Sequence, residues 1–183
     1  MQGLMQDWPL TVNKVLEHAA QNHGDREIVT RSVEGPIHRT TYAEIFTRAK
    51  QVSAALKDEG IADGDRIATL GWNTSRHMEA WYGTMGIGAV LHTINPRLHP
   101  EQVAWIANDA EDKILIFDTT FLPIVEAAKD QFKTIKRFII LTDPANIPEN
   151  TLGAISYEMW IDGRATDTPW GGFDEKTACG LCY

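Results

Sequence analysis

The sequence predicts an α/β protein: a parallel sheet with helices on its faces, assembled from βαβ units. Three observations predict it. Short apolar runs recur at residues 66–73, 89–94 and 113–118. Helical segments of about a dozen residues separate them, with Met78, Trp81, Tyr82 and Met85 in one stripe and Val103, Ile106, Ala107 and Ala110 in the next. Turn formers such as Asn95-Pro96 stop the runs. Continuous apolar strands alternating with amphipathic helices are what a sheet covered on both faces requires.

The remaining elements follow in order. Residues 11–22 read as a helix, with Val12, Val15, Leu16 and Ala19 at helical spacing, Thr11 as its N-cap and Asn22-His23-Gly24 as its stop. Residues 27–31 and 37–40 read as a hairpin whose loop, 32–36, holds Gly35 and Pro36. Thr41-Tyr42-Ala43-Glu44 is a capping-box pattern. It opens a helix that buries Ile45, Phe46, Ala49, Val52 and Leu56 and ends at Gly60. Beyond Asp118, Phe121, Ile124, Val125, Ala128 and Phe132 outline another helix, in whose first turn Pro123 is tolerated. Residues 136–141 are a further buried strand. The texture then changes, and the expected division is an α/β portion over 1–142, a surface excursion and linker over 143–175, and the start of a strand over 176–183. Within the middle segment, residues 156–160 begin a short helix.

Bulk properties remove several function classes. A net charge of -8 argues against nucleic acid or an anionic membrane surface as main partner. No run reaches the roughly 18 apolar residues of a transmembrane helix. Residues 1–9 have neither the basic start nor the apolar centre of a signal peptide, and two cysteines make no disulfide framework, so a cytoplasmic protein is expected.

The candidate chemistry is sparse. Asn73, His77, His92, Asn95 and Arg97 fall at or just beyond the carboxyl ends of the proposed strands, where open α/β sheets bind ligands. Four of them also have a specific structural explanation: Asn73 as a helix N-cap, His92 as a hydrogen-bonded core histidine, Asn95-Pro96 as a turn, Arg97 as a surface or ion-pairing residue. Gly86-Ile87-Gly88 is a fragment of a glycine loop or a tight helix-to-strand turn that excludes a side chain. Cys179 and Cys182 form a C-x-x-C, read as a redox pair, as half a zinc site, or as small apolar residues in a strand. Trp72, Trp81, Tyr82 and Trp105 are expected in the core.

Several separate segments, in order, resemble one family. Residues 38–44, residues 64–73 (Gly-Asp-Arg-Ile-Ala-Thr-Leu-Gly-Trp-Asn), residues 88–98 (Gly-Ala-Val-Leu-His-Thr-Ile-Asn-Pro-Arg-Leu), residues 108–113 and residues 177–183 are similar to the amino-terminal region of adenylate-forming acyl-CoA synthetases. The version resembled is that of long- and medium-chain fatty-acid–CoA ligases. The resemblance implies the incomplete amino-terminal domain of the acyl-CoA synthetase/luciferase-like fold. It further implies that residues 177–183 lead into a phosphate-binding loop lying past Tyr183. A complete member uses ATP, Mg and coenzyme A to convert a fatty acid or related carboxylic acid into an acyl-adenylate and then an acyl-CoA. On this resemblance the 183 residues are expected to be an inactive fragment that binds none of these cofactors tightly. No catalytic, cofactor-binding or metal-binding residue is carried over to any position. The alternative expectation is a stand-alone association module of the same fold. A homodimer through the amino-terminal region, including residues 1–9, is the partner the resemblance implies.

Overall fold

The computed structural model describes residue 1 and residues 3–183. Helix α1 (Asn13–His23) leads into an antiparallel hairpin of β1 (Glu27–Arg31) and β2 (Ile37–Thr41), paired from Glu27↔Thr41 to Arg31↔Ile37. The capping box then starts α2 (Tyr42–Asp58): the Thr41 hydroxyl accepts from the Glu44 amide at 3.3 Å, and the Glu44 carboxylate accepts from the Thr41 amide at 2.8 Å. Next come β3 (Arg66–Leu70), α3 (Ser75–Gly86), β4 (Val90–Thr93), α4 (Pro100–Asp109), β5 (Ile114–Phe117), α5 (Leu122–Ala127) and β6 (Arg137–Ile140). Strand β7 (Ile155–Ser156), helix α6 (Tyr157–Ile161) and strand β8 (Gly180–Leu181) complete the chain.

The main sheet has the order β7-β6-β5-β3-β4-β8, and every pairing in it is parallel. From β4 to β7 this is the doubly wound order 2-1-3-4-5, with β8 added outside β4. Side chains alternate between the two faces, as strand geometry demands. Ile67, Ile114, Ile116 and Ile139 face α2, α3 and α6, while Ala68, Leu70, Leu115, Phe117 and Ile140 face α4 and α5.

Helices α2 and α3 approach closely through small residues. A Cβ built on Gly83 would lie 2.6 Å from Val52 Cβ and 2.7 Å from the Ala49 carbonyl oxygen. The buried side of α3 is therefore Ser75, Glu79, Ala80, Gly83 and Thr84. Of the expected stripe Met85 is buried, whereas Met78 and Tyr82 are half-buried at its rim and Trp81 is 42% exposed. Trp72 and Trp105, at 48% and 62% exposed, are likewise outside the core.

Three other expectations are corrected. Helix α1 starts after Val12, and Thr11 accepts from the Lys14 amide through its carbonyl while its buried hydroxyl has no partner. Leu16 packs against Ile45 and Ala49, whereas Val12 and Val15 are exposed. Periodicity tells which residues share a face, and here only one side of the helix has a neighbour. The segment after Asp118 is also not one helix, because the Asn108 side chain takes the Gln131 carbonyl at 2.8 Å and the Lys133 amide at 2.7 Å, drawing the chain away after Ala127. Finally, residues 155–161, expected within a surface excursion and linker, return to the sheet as β7 and α6 and bury Tyr157, Trp160 and Ile161.

The α2–α3 contact makes a sharp expectation. Gly83→Ala should lower the unfolding free energy by about 1–3 kcal/mol, the usual cost of overpacking. Gly35→Ala, with no atom within 4 Å of the added carbon, should stay within about 0.5 kcal/mol of the parent. Urea unfolding of both variants checks this, and equal midpoints would contradict the close approach.

Candidate functional site

In a doubly wound sheet the ligand crevice opens at the carboxyl ends of the two strands whose connections leave in opposite directions. Here those strands are β3, which connects to β4, and β5, which connects to β6 on the other side. At this point Asp118, directly after β5, accepts a hydrogen bond from the Trp72 amide through Oδ2 at 2.6 Å. The Trp72 ring packs on Phe121 at 5.2 Å, and its Nε1 donates to Thr120 Oγ1 at 3.3 Å.

A cleft of about 750 Å³ extends from Asp118 between the hairpin and the first turns of α2, α3 and α6. Its wall is a network of charged side chains. Glu79, 1% exposed, accepts from Arg48 Nε at 2.9 Å and from the Tyr157 hydroxyl at 2.9 Å. Arg48 Nη2 donates to both oxygens of Glu158 at 3.0 Å. Arg76 donates to Glu158 at 2.7 Å and to the Leu141 carbonyl at 3.3 Å, and it pairs with Glu34 on the hairpin loop. Burial pushes the Glu79 carboxyl up, and the adjacent Arg48 and the Tyr157 hydroxyl oppose that shift. Asp118 is also 1% exposed, and its pKa is pushed up to about 6. Burial is the largest cause. The Trp72 amide lowers the value, Glu34 raises it and Arg76 lowers it.

This geometry decides what the cleft can hold. Glu34, Glu44, Glu79, Asp118, Asp143 and Glu158 line it against Arg39, Arg48 and Arg76. The two inner arginines each donate to two carboxylates. A polyphosphate needs free cations and amides converging on it, and six acidic side chains against three arginines leave the cleft acidic on balance. The cleft ties the hairpin, α2, α3 and α6 together at the ligand end of the sheet.

None of the five polar residues singled out at strand ends lines this cleft. Asn73 and His77 line a separate groove of about 310 Å³ with Ile28, Val29, Met78 and Trp81. Thr74, not Asn73, caps α3, its hydroxyl accepting from the His77 amide at 3.3 Å. The His77 ring bridges the Trp72 carbonyl and Thr69 Oγ1, each at 3.0 Å, and burial lowers its pKa. His92 is fully buried and shares a 2.8 Å hydrogen bond with Asp112, the core histidine of the structural reading. Asn95 Oδ1 accepts from the Arg97 amide at 3.0 Å in a turn, and Arg97 is exposed. Gly86-Ile87-Gly88 is the tight turn at the amino end of β4, the end of the sheet away from the cleft, with Gly88 at φ +79. Cys179 and Cys182 are exposed free thiols flanking β8, not buried apolar residues. Three residues apart along an extended chain, they point to opposite faces.

Arg48, Arg76, Glu79, Asp118 and Glu158 were not anticipated. Two of them carried a readable signal. Glu79 sits in the small-residue stripe of α3, four residues after Ser75 and four before Gly83, where a carboxylate must be buried. Asp118 closes an apolar strand at its ligand end.

Known proteins extend this description. The AMP-binding enzyme family model matches residues 16–170. The chain is 43% identical to a 3-methylmercaptopropionyl-CoA ligase of Ruegeria lacuscaerulensis, over all of this chain and 34% of the relative. It is 43% identical to a long-chain-fatty-acid–CoA ligase of Thermus thermophilus, over 98% of this chain and 32% of the relative. It thus spans about a third of the length of these relatives. Among solved structures, an anthranilate CoA ligase in complex with anthranoyl-AMP superposes with a TM-score of 0.81 over 97% of this chain and 33% of that one, at 22% identity. That likeness shows the fold.

The Asp118 environment gives a pH test. Its folded pKa lies above the ordinary carboxyl value, so its contribution to stability is complete below about pH 4 and is lost as pH rises through 6. Asp118→Asn retains an acceptor for the Trp72 amide and removes the titration. The stability of the variant relative to the parent should rise by about 3 kcal/mol between pH 4 and pH 7 and then level off. Urea unfolding across that range measures it, and a pH-independent difference would overturn the assignment.

Proposed function

Because the chain belongs to the AMP-binding enzyme family, we propose that it forms the amino-terminal part of an ATP-dependent acid–CoA ligase acting on a fatty or related carboxylic acid. The parent reaction joins the carboxylate to the α-phosphate of ATP, releasing pyrophosphate. It then transfers the acyl group from the adenylate to the thiol of coenzyme A, releasing AMP. The observation that carries this reading is the 43% identity, across essentially the whole chain, to two relatives named as acid–CoA ligases. The names of those two relatives cover a long alkyl acid and a short thioether acid. An apolar acyl group is the substrate feature both share.

The first step requires charge stabilisation at a pentavalent phosphorus and a clamp on the departing pyrophosphate. The inner arginines of the cleft are matched by Glu34, Glu79 and Glu158, which supports the view that these 183 residues do not adenylate by themselves. In this reading they supply a rigid scaffold, and the phosphate-handling groups come from the rest of the ligase. Acid-dependent exchange of labelled pyrophosphate into ATP tests both halves, with acids from butyrate to palmitate and 3-methylmercaptopropionate. No exchange is expected from the 183-residue chain, and exchange together with acyl-CoA formation is expected from the complete ligase. Exchange by the short chain would sink the inactivity, and a complete protein inert with every acid would sink the ligase.

A second reading, an association module, is favoured by one observation. Leu4, Met5, Trp8, Leu10, Val12 and Val15 are all exposed along the amino-terminal segment and the start of α1. Burial of such a run between two copies is worth about 25 cal/mol per Å² of apolar surface. Sedimentation over a hundredfold concentration range decides it: a dimer that Trp8→Ser weakens supports association, and a strict monomer excludes it.

A further inference from the structure

Residues 162–179 contain no helix or strand, yet they carry the chain from β7 at one edge of the main sheet to β8 at the other. With neighbouring strands about 4.8 Å apart, this crossing spans about 24 Å. The segment is a strap over α2 and the end of α3. Its central fixing is Trp170. The indole Nε1 donates to Ser53 Oγ at 2.7 Å, and the buried Ser53 donates in turn to the Gly83 carbonyl at 2.6 Å. Phe46 meets the ring edge-to-face at 5.3 Å, and Lys50 Nζ lies 4.4 Å from its centroid while donating to the Thr168 carbonyl at 2.8 Å. Gly86 is the seat. A Cβ there would fall 2.4 Å from the indole, and the Gly86 carbonyl accepts from the Gly171 amide at 3.0 Å.

After Gly171 the strap leaves the helices, and Phe173 comes to lie against Gly88 before β4. Gly171 and Gly172 both adopt positive φ, at +81 and +88, and turn the chain toward the amino end of β4. It then enters β8 through the hydrogen bond from the Leu91 amide to the Cys179 carbonyl, 3.0 Å long. Strand β8 is an edge strand of two residues with an exposed glycine, and its own pairing is too short to define its position. The Trp170 anchor supplies what that pairing lacks.

We propose that Trp170 is a positioning residue. By clamping the strap on Ser53 and Gly86 it sets the placement of β8 and of its carboxyl end, which lies on the ligand side of the parallel sheet. That this end helps to hold the ATP of the ligase rests on the ligase reading above, since ligands of open α/β sheets lie on the carboxyl side of the strands. The clamp itself stands on the distances alone. It also gives Gly86 a reason that has no connection with phosphate: a side chain there would displace the indole.

Hydrogen exchange on the 183-residue chain tests the clamp. In Trp170→Ala the Leu91 amide should exchange at least about tenfold faster, equivalent to about 1.4 kcal/mol of opening. The Asp118 amide, bonded to the Leu70 carbonyl in the centre of the sheet, should stay within about twofold of the parent, as a sub-global opening requires. Trp170→Phe, which keeps the ring and loses only the bond to Ser53, should give a smaller but selective acceleration. Unchanged exchange at Leu91 in both variants, or equal acceleration at the two amides, overturns the clamp. In the complete ligase, Trp170→Ala should raise KM for ATP about tenfold with KM for the acid unchanged, a factor again worth about 1.4 kcal/mol. Trp170→Phe should recover most of it. A fall in kcat alone would mark a merely structural tryptophan and overturn the positioning role. A parent ligase inert with every acid would defeat the ligase reading, and the exchange result would still decide the clamp.

Discussion

A carboxylate removed from water must be compensated, and Glu79 imposes that requirement on everything around it. It lies on the packed side of α3, and removing one partner of a buried ion pair typically costs about 3–5 kcal/mol. The compensation comes from Arg48 on α2 and the Tyr157 hydroxyl on α6. With Tyr157 placed, the next residue, Glu158, falls between Arg48 and Arg76, and Arg76 in turn holds the hairpin through Glu34. One buried charge thus fixes the ends of three helices that share an apolar core and ties to them a hairpin that lies outside that core. The cleft is the space left when these groups satisfy one another, which explains why its arginines have little charge to offer a ligand.

The close contact of α2 with α3 is the apolar counterpart. Gly83 lets the two backbones meet, Ser53 reaches the Gly83 carbonyl, and the same hydroxyl accepts from Trp170. Where backbones approach this closely, large side chains must lie at the margin, and Trp81 and Tyr82 do so. The exposure of Trp81 is therefore a geometric consequence of the small-residue seam.

Much of the fold was legible in the sequence because its signals are local. The capping box at Thr41, the turn at Asn95-Pro96 and the apolar runs at 66–73, 89–94 and 113–118, which contain β3, β4 and β5, each depend on neighbours a few residues away. The histidine at 92 was legible for the same reason, lying mid-strand in an apolar run. What was hidden depends on distance along the chain. Strand β7 has two residues and no periodicity to detect. Arg48 and Glu158 are loop-separated partners whose pairing exists only after the sheet is closed. The orientation of α1 and the exposure of Trp72, Trp81 and Trp105 are decided by which faces have neighbours, and residue spacing is silent on that. The candidate site was accordingly less legible than the fold. Polar residues at strand ends caught the eye, while the charges that shape the cleft sit on helices that read as ordinary amphipathic segments.

The order of strands also has a consequence for how the chain is made. Strands β3 to β7 each join a neighbour through one short crossover, so their contacts form at low entropic cost as the chain leaves the ribosome. Strand β8 must instead cross back over the whole helix layer to reach β4. Until β8 arrives, the nascent protein therefore holds a sheet whose β4 edge, with the Leu91 amide unpaired, is open to any passing strand. The strap that delivers β8 closes the period in which the β4 edge can pair with the wrong partner.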